Sequence, residues 1–493
     1  MTHVVVIGYG MVAARFAEAV RERDPAGARV RLTVLGAEPY AAYNRVLLSG
    51  ALADPEMPLD LHEPEWGREH RVDVRLGTRA ASVDRGGRTV RLADGSRLAY
   101  DALVLATGST AWLPPVPGLT DASGAPAAGV SALRDLDDLR RVRDLCPPGT
   151  HVAVLGGGVL GLEAARGLSR RGCRVTVVHP APHLMERQLD PGAGRILRDM
   201  LEQSADTRGP RAGAPGPQAP ARTLSVRTGV GAAAWRPGEG LALADGGTVP
   251  CDAVIVSAGT RPRMELAAAA GLAVNLGVLV DDRLATSDPH VHAIGDCAEH
   301  RGAVTGLIEP GWAQAETLAD LLSGADPNAR YAGTRPVTRL KAPGIDLAAL
   351  GDLPGGEAEE LRLEDASRGR YARVALQDGR VVGAIMLGFP DAAATAIRLY
   401  DSGDPAPSDR LALLLGRALP PDGAGAPADP RTVVCRCNGV TAARLADAYG
   451  NGARSVPDLA RETRATTGCG GCHDAVTALV KSLAAEDVME GAA

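Results

Sequence analysis

Residues 4–13, VVVIGYGMVA, and residues 152–161, VAVLGGGVLG, follow one plan. Each is an aliphatic run that stops in glycines. Each leads into a segment of helical periodicity and then a second apolar run, VRLTVLG (30–36) and RVTVVH (174–179). Further on, each half has another apolar run ending in a small-residue turn, ALVLATGS (102–109) and AVIVSAGT (253–260). Parallel strands need a crossover, usually a helix. Strand, glycine turn and helix, repeated twice, therefore constrain the chain to an α/β class with two doubly wound parallel sheets.

A length of 493 residues leaves room for more than those two sheets. Aromatic residues make up only 3%, so the cores must be built from Ala, Val and Leu. Lys341 and Lys481 are the only lysines; all other positive side chains are Arg or His. A net charge of −6 gives no electrostatic case for nucleic acid or for an anionic membrane. No apolar run approaches the ~18 residues that span a bilayer. The opening MTHVVVIGYGM lacks a basic leader and reads as a first strand. Cys146, Cys173, Cys251 and Cys297 are scattered without a disulfide framework, which fits a reducing, cytoplasmic setting.

The glycine turns carry the first chemistry. In Gly8-x-Gly10-x-x-Ala13, Gly8 permits a tight turn, Gly10 lets backbone approach a pyrophosphate, and the small Ala13 lets helix and strand pack closely. An acid after the second strand should bond ribose hydroxyls, and Glu38 is the candidate. Gly156-x-Gly158-x-x-Gly161 is a complete version of the motif. There the second strand leads to His179, which offers neither the carboxylate that favours NADH nor the arginine that favours NADPH. Ala106-Thr107-Gly108 and Ser257-Ala258-Gly259 close the matching turns, and VHAIGDCAEH (291–300) is a strand ending in Gly295-Asp296.

Composition shifts divide the rest. SADTRGPRAGAPGPQAPAR (204–222) has almost no large apolar residue and reads as a disordered insertion in the second dinucleotide domain. Residues 333–415 alternate strand-like runs with the helix-like ATAIRLY, as expected of a small α+β domain. Residues 416–431 read as a linker. Residues 432–493 hold three helical segments, one capped by Ser455 with Pro457 in its first turn, with cysteines on the loops between them. These are Cys435-x-Cys437 and Cys469-x-x-Cys472. Four thiolates suit a [2Fe–2S] cluster, and they also suit tetrahedral zinc. Arg436 and Arg464 lie beside the clips, where they either offset thiolate charge or are simply solvated.

Taken together and in this order, the motifs resemble the two-dinucleotide-binding-domain flavoproteins. That resemblance implies FAD on residues 1–112 and 262–332, held by Gly8, Gly10, Ala13, Glu38, Ala106, Thr107, Gly108, Gly295 and Asp296. It implies NAD(P)H on residues 113–261, held by Gly156, Gly158, Gly161, His179, Ser257, Ala258 and Gly259. Glu163 is expected to help place the nicotinamide; the alternative is an exposed helix carboxylate. Residues 38–53 lack the C-x-x-C of the glutathione-reductase-like branch, and Cys297 reads as a small buried filler.

A narrower resemblance rests on AYNRVLLSGALA (42–53), HLMERQLD (183–190), IGDCAEHRG (294–302) and TRLKAPGIDLAALGD (338–352). These look like the front half of the assimilatory NADH nitrite reductase large subunit and like the electron-transfer subunit of assimilatory nitrate reductase. It implies that Arg45 approaches the flavin, a surface helix cap being the alternative. VVCRCNGV and TRATTGCGGC resemble the bacterioferritin-associated-ferredoxin-like [2Fe–2S] domain, with Cys435, Cys437, Cys469 and Cys472 as ligands. The implied activity is NAD(P)H oxidation, with electrons passing to a nitrate or nitrite reductase subunit. NADH is weakly favoured over NADPH. The nitrite reductase relatives continue into a sirohaem domain, whereas this chain reaches Ala493 with every clustered cysteine used, so it is not expected to reduce nitrite by itself. The rival readings are a ferredoxin- or rubredoxin-type reductase feeding a monooxygenase, and a bacterioferritin-docking or iron-sensing protein.

Overall fold

The computed structural model describes residues 1–204, 223–342, 344–353, 358–416, 430, 432–467 and 471–490. The insertion at 204–222, from residue 205 on, and most of the linker at 416–431 lie outside the described residues. The chain divides into two compact units. One comprises Met1–Leu48, Met57–Trp112 and Gly259–Thr334, the other Ser49–Glu56, Leu113–Ala258 and Arg335–Ala493.

The first unit is built on a parallel sheet in the order Val291–Ala293, Ala102–Leu105, Thr2–Ile7, Val30–Leu35, Val72–Arg75. Val4, Val5 and Val6 are fully buried because both faces of such a sheet are covered. One covering layer pairs the helix Met11–Arg23 with the helix Ile308–Ser323, through Phe16, Ala17 and Val20 against Ala315, Leu318 and Ala319. Small residues let these helices approach closely: a methyl group on Gly311 would sit 2.5 Å from Val12 Cγ2.

The second unit repeats the design, in the order Leu224–Thr228, Arg174–His179, His151–Leu155, Ala253–Val256, Val130–Ala132, again all parallel. In both sheets the strand that enters the glycine turn is central. In both, the following helix has a glycine N-cap, Gly10 or Gly158, with no side-chain cap bond. The first N–H groups of each helix thus have no bond from the cap side chain.

The same unit carries an antiparallel sheet of five strands between Val337 and Leu387, covered by the helix Pro390–Ser402. This is the α+β arrangement expected of that region. Beyond it come the helices Ala442–Gly450, Val456–Thr463 and His473–Glu490. Ser455 forms a capping box with Asp458. The fold class is as the sequence implied. One expectation is corrected: the first cysteine clip is not a loop between helices. Cys435 ends the strand Val433–Cys435, and Cys437 lies in the 3-10 turn Arg436–Asn438, because the chain pairs with Val440–Thr441 before its first helix. Among the described residues no helix is long and apolar enough to cross a membrane.

Candidate functional site

Three groups of residues have the chemistry of a site. The first is the turn after Thr2–Ile7. Gly8 has φ +112°, and a methyl group there would lie 2.1 Å from the carbonyl oxygen of Ala106. Only glycine allows this crossing. At Gly10 the space is open except for Arg45 Nε, 3.8 Å from where a methyl carbon would be. Arg45 begins a 3-10 turn whose cap is Asn44. It pairs with Glu38, lies 4.6 Å over the Tyr43 ring, and shares Glu38 with the Tyr43 hydroxyl, which donates at 2.7 Å. The structure therefore brings Gly10 and Arg45 together, and joins Arg45 to Glu38.

Gly295 stands at φ +78° after the last strand of this sheet, its N–H donating to Gln314 Oε1 at 2.7 Å. Asp296 accepts from the Ser109 hydroxyl at 2.9 Å. Thr107 donates to the Arg263 carbonyl at 2.7 Å, and the Gly108 carbonyl accepts from Arg263 N–H at 2.9 Å. Cys297 is fully buried and its Sγ donates to the carbonyls of Leu105 (3.4 Å) and Ile294 (3.3 Å). Burial raises its pKa and keeps it a thiol, consistent with a filler. Behind the glycine turn, Tyr9 Oη lies 2.6 Å from His62 Nδ1, and His62 Nε2 lies 3.0 Å from Glu18. Sequence reading missed this chain because its members are 44 and 53 residues apart.

The second group is the turn after His151–Leu155. Gly156 has φ +122°, and a methyl group there would lie 2.1 Å from the Ser257 carbonyl. A methyl on Gly158 meets nothing within 4 Å, and one on Gly161 would strike the Gly156 carbonyl at 2.0 Å. His179, expected just beyond the strand, is its last residue and is buried. Its Nδ1 accepts from Gly157 N–H at 3.1 Å, so Nε2 carries the proton and donates to Glu186 at 2.9 Å. A carboxylate thus stands at the strand end after all, seven residues later in the chain and held by the imidazole. Gly259, the last residue of its turn, belongs to the first unit, while Ser257 and Ala258 belong to the second.

Glu163 is not an exposed helix carboxylate. It is 2% exposed, accepts from Ser49 Oγ at 3.0 Å and from Lys341 N–H at 3.0 Å, and pairs with Lys341 Nζ at 3.2 Å. The signal in the sequence was the rarity of lysine, one of only two in the chain.

The third group is the cysteines. Cys435 and Cys472, 37 residues apart, are both buried in one small core with Val440, Leu445, Tyr449 and Leu459. Asn438 Nδ2 donates to the Arg464 carbonyl at 2.5 Å and to Thr467 Oγ1 at 3.1 Å, tying the first clip to the approach of the second. Arg436 pairs with Asp401. The Cys437 side chain and Cys469 lie outside the described residues. Two thiol-bearing segments converging on one core fit a four-thiolate group, and the open turns at Gly10 and Gly158 fit two pyrophosphates.

Comparison with known proteins agrees with these chemistries. The family model "Pyridine nucleotide-disulphide oxidoreductase" matches residues 2–206 and 221–317. "Rubredoxin NAD+ reductase C-terminal domain" matches 336–396, and "BFD-like [2Fe-2S] binding domain" matches 433–482. The chain is 32% identical to "Nitrite reductase [NAD(P)H]" of Bacillus subtilis (strain 168), over 98% of this chain and 58% of that protein. It is 30% identical to "Assimilatory nitrate reductase electron transfer subunit" of the same organism, over 97% of this chain and 59% of that protein. The chain thus spans little more than half the length of these curated relatives. A ferredoxin reductase for the CYP199A2 system from Rhodopseudomonas palustris superposes with a TM-score of 0.70 at 27% identity, covering 82% of this chain and 96% of that one. The resemblance read from the residues is borne out.

Proposed function

The chain belongs to the pyridine nucleotide-disulphide oxidoreductase family, and from that premise we propose that it carries electrons from NAD(P)H to a nitrate or nitrite reductase component. It is an oxidoreductase whose family implies FAD and NAD(P)H, and its C-terminal family implies a [2Fe–2S] cluster. When bound, flavin accepts hydride as an electron pair and an iron–sulfur cluster hands on single electrons. The observation that carries the reading is the succession within one chain: two glycine turns of matching geometry, then one cysteine from each clip buried in one core.

In this reading the first dinucleotide domain (1–112 and 262–332) holds FAD. Gly8, Gly10 and Ala13 cradle the pyrophosphate at a free helix N-terminus. Ala106, Thr107, Gly108, Gly295 and Asp296 line the rest, and Arg45 is fixed beside Gly10 by Glu38. Residues 113–261 hold NAD(P)H at Gly156, Gly158 and Gly161, with Ser257, Ala258 and Gly259 closing the turn. His179 does not touch the ribose alone: it presents Glu186, whose negative charge repels a 2′-phosphate and accepts from a 2′-hydroxyl. NADH is therefore preferred. Glu163 is a structural anchor, tied to Lys341 and Ser49. Cys435, Cys437, Cys469 and Cys472 ligate the cluster in domain 432–493, after the small domain 333–415. The scattered thiols, all buried, suit a reducing cytosol.

The ferredoxin-reductase likeness favours a second reading, in which the acceptor is a small redox protein of a monooxygenase system. The test is NADH-driven reduction of nitrate and nitrite by the holoprotein mixed with candidate molybdopterin or sirohaem subunits, against reduction of ferredoxins. Turnover only with ferredoxins would replace the first reading with the second.

A further inference from the structure

The segment Val337–Lys341 reaches in two directions. At its far end Lys341 is held by the buried carboxylate of Glu163, on the helix that follows the second glycine turn. Two residues earlier, Arg339 lies against the second cysteine clip. A methyl group built on Gly471 would be 2.6 Å from Arg339 Nη1, 2.8 Å from Cζ and 3.0 Å from Nε. Gly471 lies between Cys469 and Cys472, so the guanidinium abuts the backbone that presents a ligand.

The arginines around the clips are not equivalent. The charge of Arg436, inside the first clip, is taken up by Asp401. Arg339 makes no ion pair among the described residues. Asp346 feels the charge of Arg339, and Asp391 and Asp474 act on Asp346 in turn. The position is also fixed. Val337–Arg339 is an edge strand paired with Leu347–Gly351, and the Lys341–Glu163 pair pins its exit.

We propose that Arg339 is a positioning charge for the terminal cluster, held against the Gly471 backbone so that it favours the reduced state. This rests on the reading that the four C-terminal cysteines hold that cluster. Reduction adds one negative charge to a site that already carries four thiolates. A cation held beside it stabilises the product more than the reactant. With a cluster bound, the Arg339 charge would ease its one-electron reduction relative to the thiolates alone. Glycine at 471 is what admits the guanidinium, since any side chain there would displace it.

The test is a redox titration of the full-length holoprotein, followed by EPR, for wild type, Arg339→Gln, Arg339→Lys and Gly471→Ala. Arg339→Gln is expected to retain its iron and to shift the one-electron equilibrium about tenfold against reduction, ~59 mV lower. The rate of flavin reduction by NADH should stay unchanged. Arg339→Lys should recover most of the shift. Gly471→Ala, which keeps the charge but pushes it away, should show a smaller shift of the same sign. An unchanged potential in iron-replete Arg339→Gln overturns the inference, as does an equal fall in Arg339→Lys. Loss of iron in Arg339→Gln with no shift in Gly471→Ala makes Arg339 merely structural and overturns it too. A wild-type protein without iron overturns the ligand assignment itself, a failure distinct from an unmoved potential.

Discussion

The two glycine turns solve the same problem and differ where it matters. Gly8 and Gly156 are nearly superposable in kind: φ +112° and +122°, each within 2.1 Å of a carbonyl had it a methyl group. Three residues beyond the second glycine, the copies part. Ala13 keeps its methyl in a buried helix–sheet contact, whereas Gly161 has a carbonyl 2.0 Å from where a methyl would be. The acids part as well. Glu38 is bound to an arginine and a tyrosine of its own loop. In the second copy the strand ends in a histidine whose ring is hydrogen-bonded to Glu186. The shared positions are those dictated by a chain reversing over a carbonyl. The divergent ones are those that meet different neighbours.

The largest expected effect tests the shared position. Gly156→Ala should leave the protein yellow with FAD and lower the rate of flavin reduction by NADH about a thousandfold, ~4 kcal/mol in the barrier. Gly8→Ala should instead yield protein without flavin. Stopped-flow absorbance and flavin content separate the two, and a variant that lost both nucleotides would erase the comparison.

Next comes the anchor found only in the second half. Lys341→Met leaves the Glu163 carboxylate buried without its cation and should cost ~3 kcal/mol in chemical unfolding. Glu38→Gln, in the more exposed pair of the first half, should cost about 1 kcal/mol or less. Smaller again is the contrast at the third position. Gly161→Ala should destabilise by ~2 kcal/mol through overpacking, and Ala13→Gly by ~1 kcal/mol through helix entropy. Equal losses would mean that the two turns are packed alike. The smallest effect concerns coenzyme choice. Glu186→Gln should lower the NADH-to-NADPH ratio of kcat/KM about fivefold, worth ~1 kcal/mol.

Much of this was legible because it is local. A strand that must end in glycine to clear a carbonyl prints that need at fixed spacing, so Gly8, Gly156 and Gly161 could be read directly. So could the Ser455 cap, whose partner is three residues away. Glu163 and His179 were singled out for their positions, but their partners were out of reach. Lys341 is 178 residues from Glu163, and only folding brings them together. Glu186 is near His179 in sequence, yet nothing in HLMERQLD says that it folds back onto the strand end. The first cysteine clip was misplaced for a related reason. A two-residue strand partner, Val440–Thr441, is too short to leave a pattern of alternating burial.

The central claim is that electrons taken from NADH in this chain leave through the C-terminal cysteines. Rapid mixing of NADH with wild-type holoprotein and with Cys472→Ser, read as flavin bleaching, iron–sulfur EPR and reduction of the partner, tests it most directly. Wild type should bleach its flavin and then develop a reduced-cluster signal. Cys472→Ser should bleach the flavin at the wild-type rate, show no cluster signal and fail to reduce the partner. A Cys472→Ser protein that still drove its partner at the full rate would contradict the account, as would zinc in place of iron in the wild type.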